Sequence, residues 1–245
     1  MIKYKKKVVL LFLLCSQNIF AHTENGYVIS VGANDSDFLL SSISNKKGPY
    51  NYLVDKLKEK TASAFELIYL PPARSAMLLA NKRIDCLIPG NINQVEHPEQ
   101  HVASIAFNYA RAYVFTKKNR PTIHSLAALD GKILATRRGY HYGDKNFGAN
   151  IKNVKVNTIK QSILMLEKER IDAFVAYSPD ILGAVKDFNS ISFHHDKNFI
   201  IHQQSEQILC QKTQQNKQFI KELNIVITEL KASGELDLIL KKADL

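Results

Sequence analysis

The hydrophobic positions of this chain fall into short unbroken runs and longer stretches of helical spacing, and one arrangement of the two occurs twice. In one copy a helical stretch leads into Arg170-Ile171-Asp172, then Ala173-Phe174-Val175-Ala176, then Tyr177-Ser178-Pro179. In the other, Arg83-Ile84-Asp85 leads into Cys86-Leu87-Ile88 and then Pro89-Gly90-Asn91. An apolar run without alternation is the pattern of a strand buried on both faces, as in parallel sheets covered by helices. The turn residues after each run then lie at the carboxyl end of a strand, the edge at which open α/β sheets bind ligands. Two such units predict two α/β lobes that share a cleft.

The rest of the pattern fills in around these units. Tyr27 to Gly32 reads as a first strand ending in the polar turn Asn34-Asp35-Ser36-Asp37, with Phe38 beyond. Tyr50 to Lys60 has helical spacing, Phe65 to Leu70 reads as a strand closed by Pro71-Pro72, and Arg74 to Asn81 as a short helix. This β-α-β-α-β order implies a parallel sheet. Ile92 to Ser104 is polar and reads as a surface excursion, and Ala112 to Phe115 as a strand that crosses between lobes. Lys132 to Ala135 and Val154 to Val156 read as strands, and Ile159 to Glu167 as a helix capped by Asn157 or Thr158. A helix from Ile181, a strand at Ile191 to Phe193 and a return strand at Gln207 to Gln211 follow. Lys217 to Lys231 has the strongest helical periodicity, with Phe219, Ile220, Leu223, Val226, Ile227 and Leu230 on one face.

The amino terminus has a different character. Lys3, Lys5, Lys6 and Lys7 precede the apolar run Val8 to Cys15, and Phe20-Ala21 offers a cleavage site. This is the pattern of a secretory signal peptide over residues 1–21, far short of the ~20 apolar residues of a spanning helix. Leu14 is too bulky for lipoprotein cleavage at Cys15. The net charge is +10, of which the four leader lysines supply four, leaving +6 for the remainder. Export to the periplasm leaves little access to nucleic acid, so a weak attraction to anionic surfaces or solutes is the reading of that charge. Cys86 and Cys210 both lie in apolar strand-like runs, and the expectation is two buried free thiols, with export leaving a disulfide open.

The cleft edges supply the candidate ligand-binding residues. From the first lobe these are Asp35, Phe38, Arg74 and Asn91; from the crossing, Asn108, Tyr109 and Arg111; from the second lobe, Arg138, Tyr140, His141, Tyr177 and Ser178. Aromatic walls with a few aimed polar groups suit a small solute. Arginine suits an anion because its planar fork donates two parallel hydrogen bonds. Arg74 and Arg138 are therefore the expected anchors of an anionic group. His194-His195-Asp196 reads as a polar turn rather than a metal cluster, since neighbours on a strand point to opposite faces. No catalytic, phosphate-binding or metal motif is present, and no cofactor is expected.

Several phrases, weak singly, carry a resemblance through their order and spacing. They are Leu70-Pro71-Pro72-Ala73-Arg74 with Arg83-Ile84-Asp85, Leu129-Asp130-Gly131-Lys132, Arg138-Gly139-Tyr140, Glu169 to Ala173, and Ser233-Gly234-Glu235-Leu236. Together they resemble the bacterial extracellular solute-binding protein family 3, which are type II periplasmic binding proteins. The resemblance implies a two-lobed α/β fold with a cleft between mainly parallel sheets. The return strand and long terminal helix after the second α/β unit predict a discontinuous first lobe, 22–115 with 204–245, around a continuous second lobe, 116–203. The resemblance also implies a monomeric, non-enzymatic receptor that hands a small solute to an ABC permease. Family members that bind amino acids carry an arginine for the carboxylate where Gln100 stands here, and an aspartate for the amino group where Tyr177 stands. An anionic or amino-acid-like solute with no strict need for an α-amino group is the resulting expectation. Two other classes stand beside it. One is an enzyme on the same fold, dehydrating a cyclic acid with His141 as its acid or base; the other is a sensor without its own transporter.

Overall fold

The computed structural model describes residues 27–34, 40–42, 47–143, 147–185 and 193–241. The leader at 1–21 and the candidates Asp35 and Phe38 lie outside the described residues.

The first lobe is built on β1 (Ile29–Asn34). Helix α1 (Pro49–Lys60) follows, with Pro49 at its first turn, where a missing N–H costs nothing. The Asn51 carboxamide accepts from the Gly48 and Ser41 N–H groups, closing the helix start. Tyr50, Leu53, Val54 and Leu57 form the buried stripe. Strands β2 (Phe65–Leu70) and β3 (Cys86–Gly90), separated by α2 (Pro72–Ala80), pair in parallel on either side of β1.

The twice-used Asp explains itself here. The Asp85 N–H donates to the Ser30 carbonyl at 3.0 Å, and its carboxylate accepts from the Ser30 N–H at 2.8 Å. Asp172 repeats this with Ile133, at 2.8 and 2.7 Å. In each lobe one aspartate clamps both polar backbone groups of a residue at the start of the neighbouring strand.

The stretch expected to be a surface excursion contains a strand. β4 (His101–Ala103) adds to the sheet against β10 (His202–Gln211), because the edge of β10 beyond its pairing with β5 would otherwise leave backbone groups unpaired.

The chain then crosses between the lobes in the long β5 (Asn108–Lys117). Then come β6 (Ile133–Arg137), β7 (Lys152–Val156), α3 (Ile159–Glu167), β8 (Ala173–Tyr177), α4 (Ser178–Val185) and β9 (Phe193–His195). β6 pairs in parallel with β7 and β8, and all of β8 is buried, as its unbroken apolar run requires. The Thr158 hydroxyl caps α3 by accepting from the Gln161 N–H. His194 and His195 lie in β9 rather than in a turn: they pair with Thr116 and Phe115, and the His195 ring packs on Phe115 and Tyr113.

β10 returns to the first lobe and leads to α5 (Gln214–Ala232) and α6 (Glu235–Lys241). Thr213 caps α5, and the six apolar residues of its face are buried against α1, β2 and β10. The sheet order is β2-β1-β3-β10-β5-β8-β6-β7. One core lies under α1, α5 and α6; two others cover the faces of β8 in the second lobe.

Two antiparallel strands join the lobes. β5 pairs with β10 over Asn108–Ala112 and with β8 over Ala112–Thr116. β10 pairs with β5 over its first half and with β3 and β4 over its second.

The cysteines correct an expectation. Cys86 and Cys210 are not free thiols but a buried disulfide, directly opposite each other on β3 and β10 with Cα atoms 3.9 Å apart. The antiparallel register of the returning strand brings together two positions 124 residues apart, which no local spacing reveals.

Candidate functional site

Four strand ends face one another between the lobes. Asn34 ends β1, Gly90 ends β3, Tyr177 ends β8, and Gly139-Tyr140-His141 follow the end of β6. They enclose, with Ala110, Gln204 and Glu206 of the crossing strands, a cavity of about 370 Å³. This is the carboxyl edge of both parallel sheets, where such folds take ligands. The size falls within the range of small-molecule pockets.

The polar wall is mostly committed within the protein. Asn34 donates to the Pro89 carbonyl, Asn91 to Ser205, and the Tyr177 hydroxyl to the His141 carbonyl at 2.5 Å. Gln94 donates to Gln204, and Gln211 to the Leu79 carbonyl.

Two carboxylates are buried in this wall. Asp180 sits in the first turn of α4 and is 7% exposed. The Tyr140 hydroxyl hydrogen-bonds to it, and the Arg137 guanidinium stacks over the Tyr140 ring at 4.8 Å and donates to the same hydroxyl at 3.1 Å. Glu206, on β10 where the lobes meet, is 4% exposed. Its Oε2 accepts from the Tyr50 hydroxyl and, at 2.8 Å, from the Asn108 carboxamide. Burial pushes the Glu206 carboxyl up to about 7, with the Tyr50 and Asn108 bonds working against that and the Asp180 charge adding to it. Burial and the adjoining Glu206 charge likewise push the Tyr50 hydroxyl well up.

Of the residues expected from the sequence, Asn91, Tyr140, His141 and Tyr177 line the cavity. Asn108 stands behind Glu206. Tyr109 is 60% exposed on the crossing strand, and Arg111 beside it reaches Gln203 at 3.4 Å. Arg138 is exposed, its side chain directed to Asn157, and Arg74 is exposed on α2. Ser178 opens α4 at the end of β8. None of these last five is a cavity-lining residue.

The sequence reading missed Glu206 and Asp180. The available signal for Asp180 was its place three residues after Tyr177, one helical turn into the wall. For Glu206 it was an acid immediately before the return strand read from Gln207.

At one point the lobes touch through backbone. Gly139 has φ +81°, and a Cβ there would lie 2.4 Å from the Ala73 nitrogen of α2. Only glycine meets both demands. Among the described residues no group of three or more His, Cys, Asp or Glu is arranged to hold a metal ion, and no helix is long and apolar enough to cross a membrane.

The architecture is that of the type II periplasmic binding proteins. The chain is similar in structure to the substrate-binding protein of an amino acid ABC transporter, with TM-score 0.72 at 22% identity over 88% of this chain and 98% of that one. An ancestral arginine-binding protein bound to arginine is similar to the same degree, TM-score 0.72 at 22% identity, over 88% and 97% of the two chains. The ancestral amino acid-binding protein AncCDT-1, a precursor of cyclohexadienyl dehydratase, matches with TM-score 0.71 at 17% identity over 88% and 94%. Neither a protein-family model nor a curated protein sequence matches the chain.

Proposed function

We propose that the protein is an exported solute receptor, whose lobes close on a small polar solute and present it to an ABC permease. The observation that carries this reading is the cavity at the facing strand ends, bridged by two crossing strands. Two antiparallel strands shared by both lobes make a hinge about which closure is a rigid-body motion. The fold shared with proteins described as ABC-transporter substrate-binding supports the reading. So does the buried disulfide, which suits an oxidising compartment such as the periplasm and agrees with the leader-like amino terminus.

In this reading the first lobe comprises 22–115 with 204–245 and the second 116–203, with the protein acting as a monomer. Asn91, Tyr140, His141 and Tyr177 touch the solute, and Glu206 and Asp180 join them. The anionic solute expected from Arg74 and Arg138 lacks support from the cavity wall, which contains neither side chain. Native mass spectrometry of protein purified from the periplasm, followed by a thermal-shift screen of small polar solutes, tests the receptor reading. A retained small molecule, or a solute raising the melting temperature in a saturable way, supports it; stabilisation by no class of solute counts against it.

One observation favours a second reading as an enzyme. A buried carboxyl titrating near neutrality is a good general acid, and Glu206 has that property inside a solute-sized cavity. Incubation with cyclic acids, with water loss followed by NMR, distinguishes the two: turnover abolished by Glu206→Gln supports the enzyme.

A further inference from the structure

The buried side-chain polar atoms of the cavity wall left without a hydrogen-bond partner among the described residues are acceptors. The Nδ2 of Asn34 is spent on Pro89 while its Oδ1, buried, has no partner among the described residues. His101 also lines the cavity; its Nδ1 lies 2.8 Å from the His97 carbonyl, an acceptor, so Nδ1 is the nitrogen that donates there. In the tautomer that this contact selects, the buried Nε2 is an acceptor, and it has no partner among the described residues. A third acceptor becomes charged above about pH 7: both hydrogen bonds of Glu206 fall on Oε2, and Oε1 accepts none among the described residues. Donors of the same wall, on Asn91, Gln94, Gln211 and Tyr177, are already satisfied by the protein. A buried acceptor without a donor is costly, so a wall biased this way is complementary to a ligand that brings N–H groups.

The buried charges agree in sign. No arginine lines the cavity among the described residues; Arg137 lies behind the Tyr140 ring, and Lys82, which does line the cavity, stands at its exposed rim on the turn between α2 and β3. The two carboxylates come from different elements, Glu206 from the crossing strand and Asp180 from α4 of the second lobe. A cation between them is held by both sides of the cleft, and closure brings it out of water, where the attraction is strongest.

We propose that the solute is an organic amine, held through its ammonium group by Glu206 Oε1 with Asp180 nearby, and that it needs no carboxylate. This rests on the reading of the cavity as a solute site.

The test is a thermal-shift and calorimetry panel at pH 8. It compares alkyl mono- and diamines of three to six carbons with carboxylates, dicarboxylates and amino acids of matched length and with small sugars. The amines are expected to bind, the matched acids not, and Glu206→Gln to weaken amine binding at least tenfold. If acids or sugars bind and amines do not, or Glu206→Gln leaves amine affinity unchanged, the cation assignment is overturned while the receptor reading stands. If no class binds, both fall together.

Discussion

Tyr50 of α1 donates its hydroxyl hydrogen to the carboxylate of Glu206, 156 positions further along the chain and on the strand that joins the lobes. Because burial raises the Glu206 carboxyl from its ordinary 4.5 to about 7, the folded protein holds a proton there that the unfolded chain releases. The stabilising proton is fully present below the unfolded value and lost as pH rises through the folded one. Stability is therefore expected to fall between about pH 5 and pH 8, by up to about 3 kcal/mol from this group. Urea unfolding across that range should show the fall in the natural protein, and a flatter profile in Glu206→Gln.

Gly139→Ala is expected to separate folding from closure. A left-handed φ costs alanine about 1–2 kcal/mol, and the added methyl meets the Ala73 backbone of the opposite lobe. The lobes escape that collision by opening. A modest fall in the melting temperature of the ligand-free protein, with solute affinity lowered at least tenfold by calorimetry, is the expected result.

The paired aspartates should act on stability alone, since both lie at the amino ends of their strands, away from the cavity. Asp85 holds the Ser30 N–H and hydroxyl and the Tyr27 hydroxyl; Asp172 holds the Ile133 N–H. Asp85→Ala is expected to cost about 2–3 kcal/mol and Asp172→Ala about 1 kcal/mol, with solute affinity unchanged in both. Burial works to raise the Asp85 carboxyl, but the Ser30 and Tyr27 hydrogen bonds outweigh it and hold the group below its usual range. Its contribution is complete above the ordinary carboxylate pKa and lost as pH falls toward the lowered one.

Reduction of Cys86–Cys210 should lower stability by about 2–4 kcal/mol, read as a shift in the urea midpoint with and without dithiothreitol. Thiol titration of the oxidised, denatured protein should find neither cysteine free.

The elements that local patterning defines were legible. Unbroken apolar runs located β3 and β8, helical spacing located α1 and α5, and the turns after the buried strands pointed to Asn91 and Tyr177 at the cavity. What depends on long-range register was not. The disulfide and the Tyr50–Glu206 contact exist only because β10 returns antiparallel beside β3 and β5. Arg138 carried the right chemistry for an anion site, but its side chain turns to Asn157, a direction that a chain position after β6 does not reveal. β4 was hidden because three residues are too few to show alternation.

The disulfide joins two residues of the first lobe, yet the whole second lobe and both crossing strands' junction lie in the stretch of chain between them. That stretch and the sulfur bridge form a closed covalent ring, from which the amino-terminal and carboxyl-terminal segments emerge as two tails. A protease that nicks the chain once at any bond inside the ring therefore opens it without severing the molecule. The cut protein keeps its full mass on a non-reducing gel and separates into two fragments only when a thiol is added.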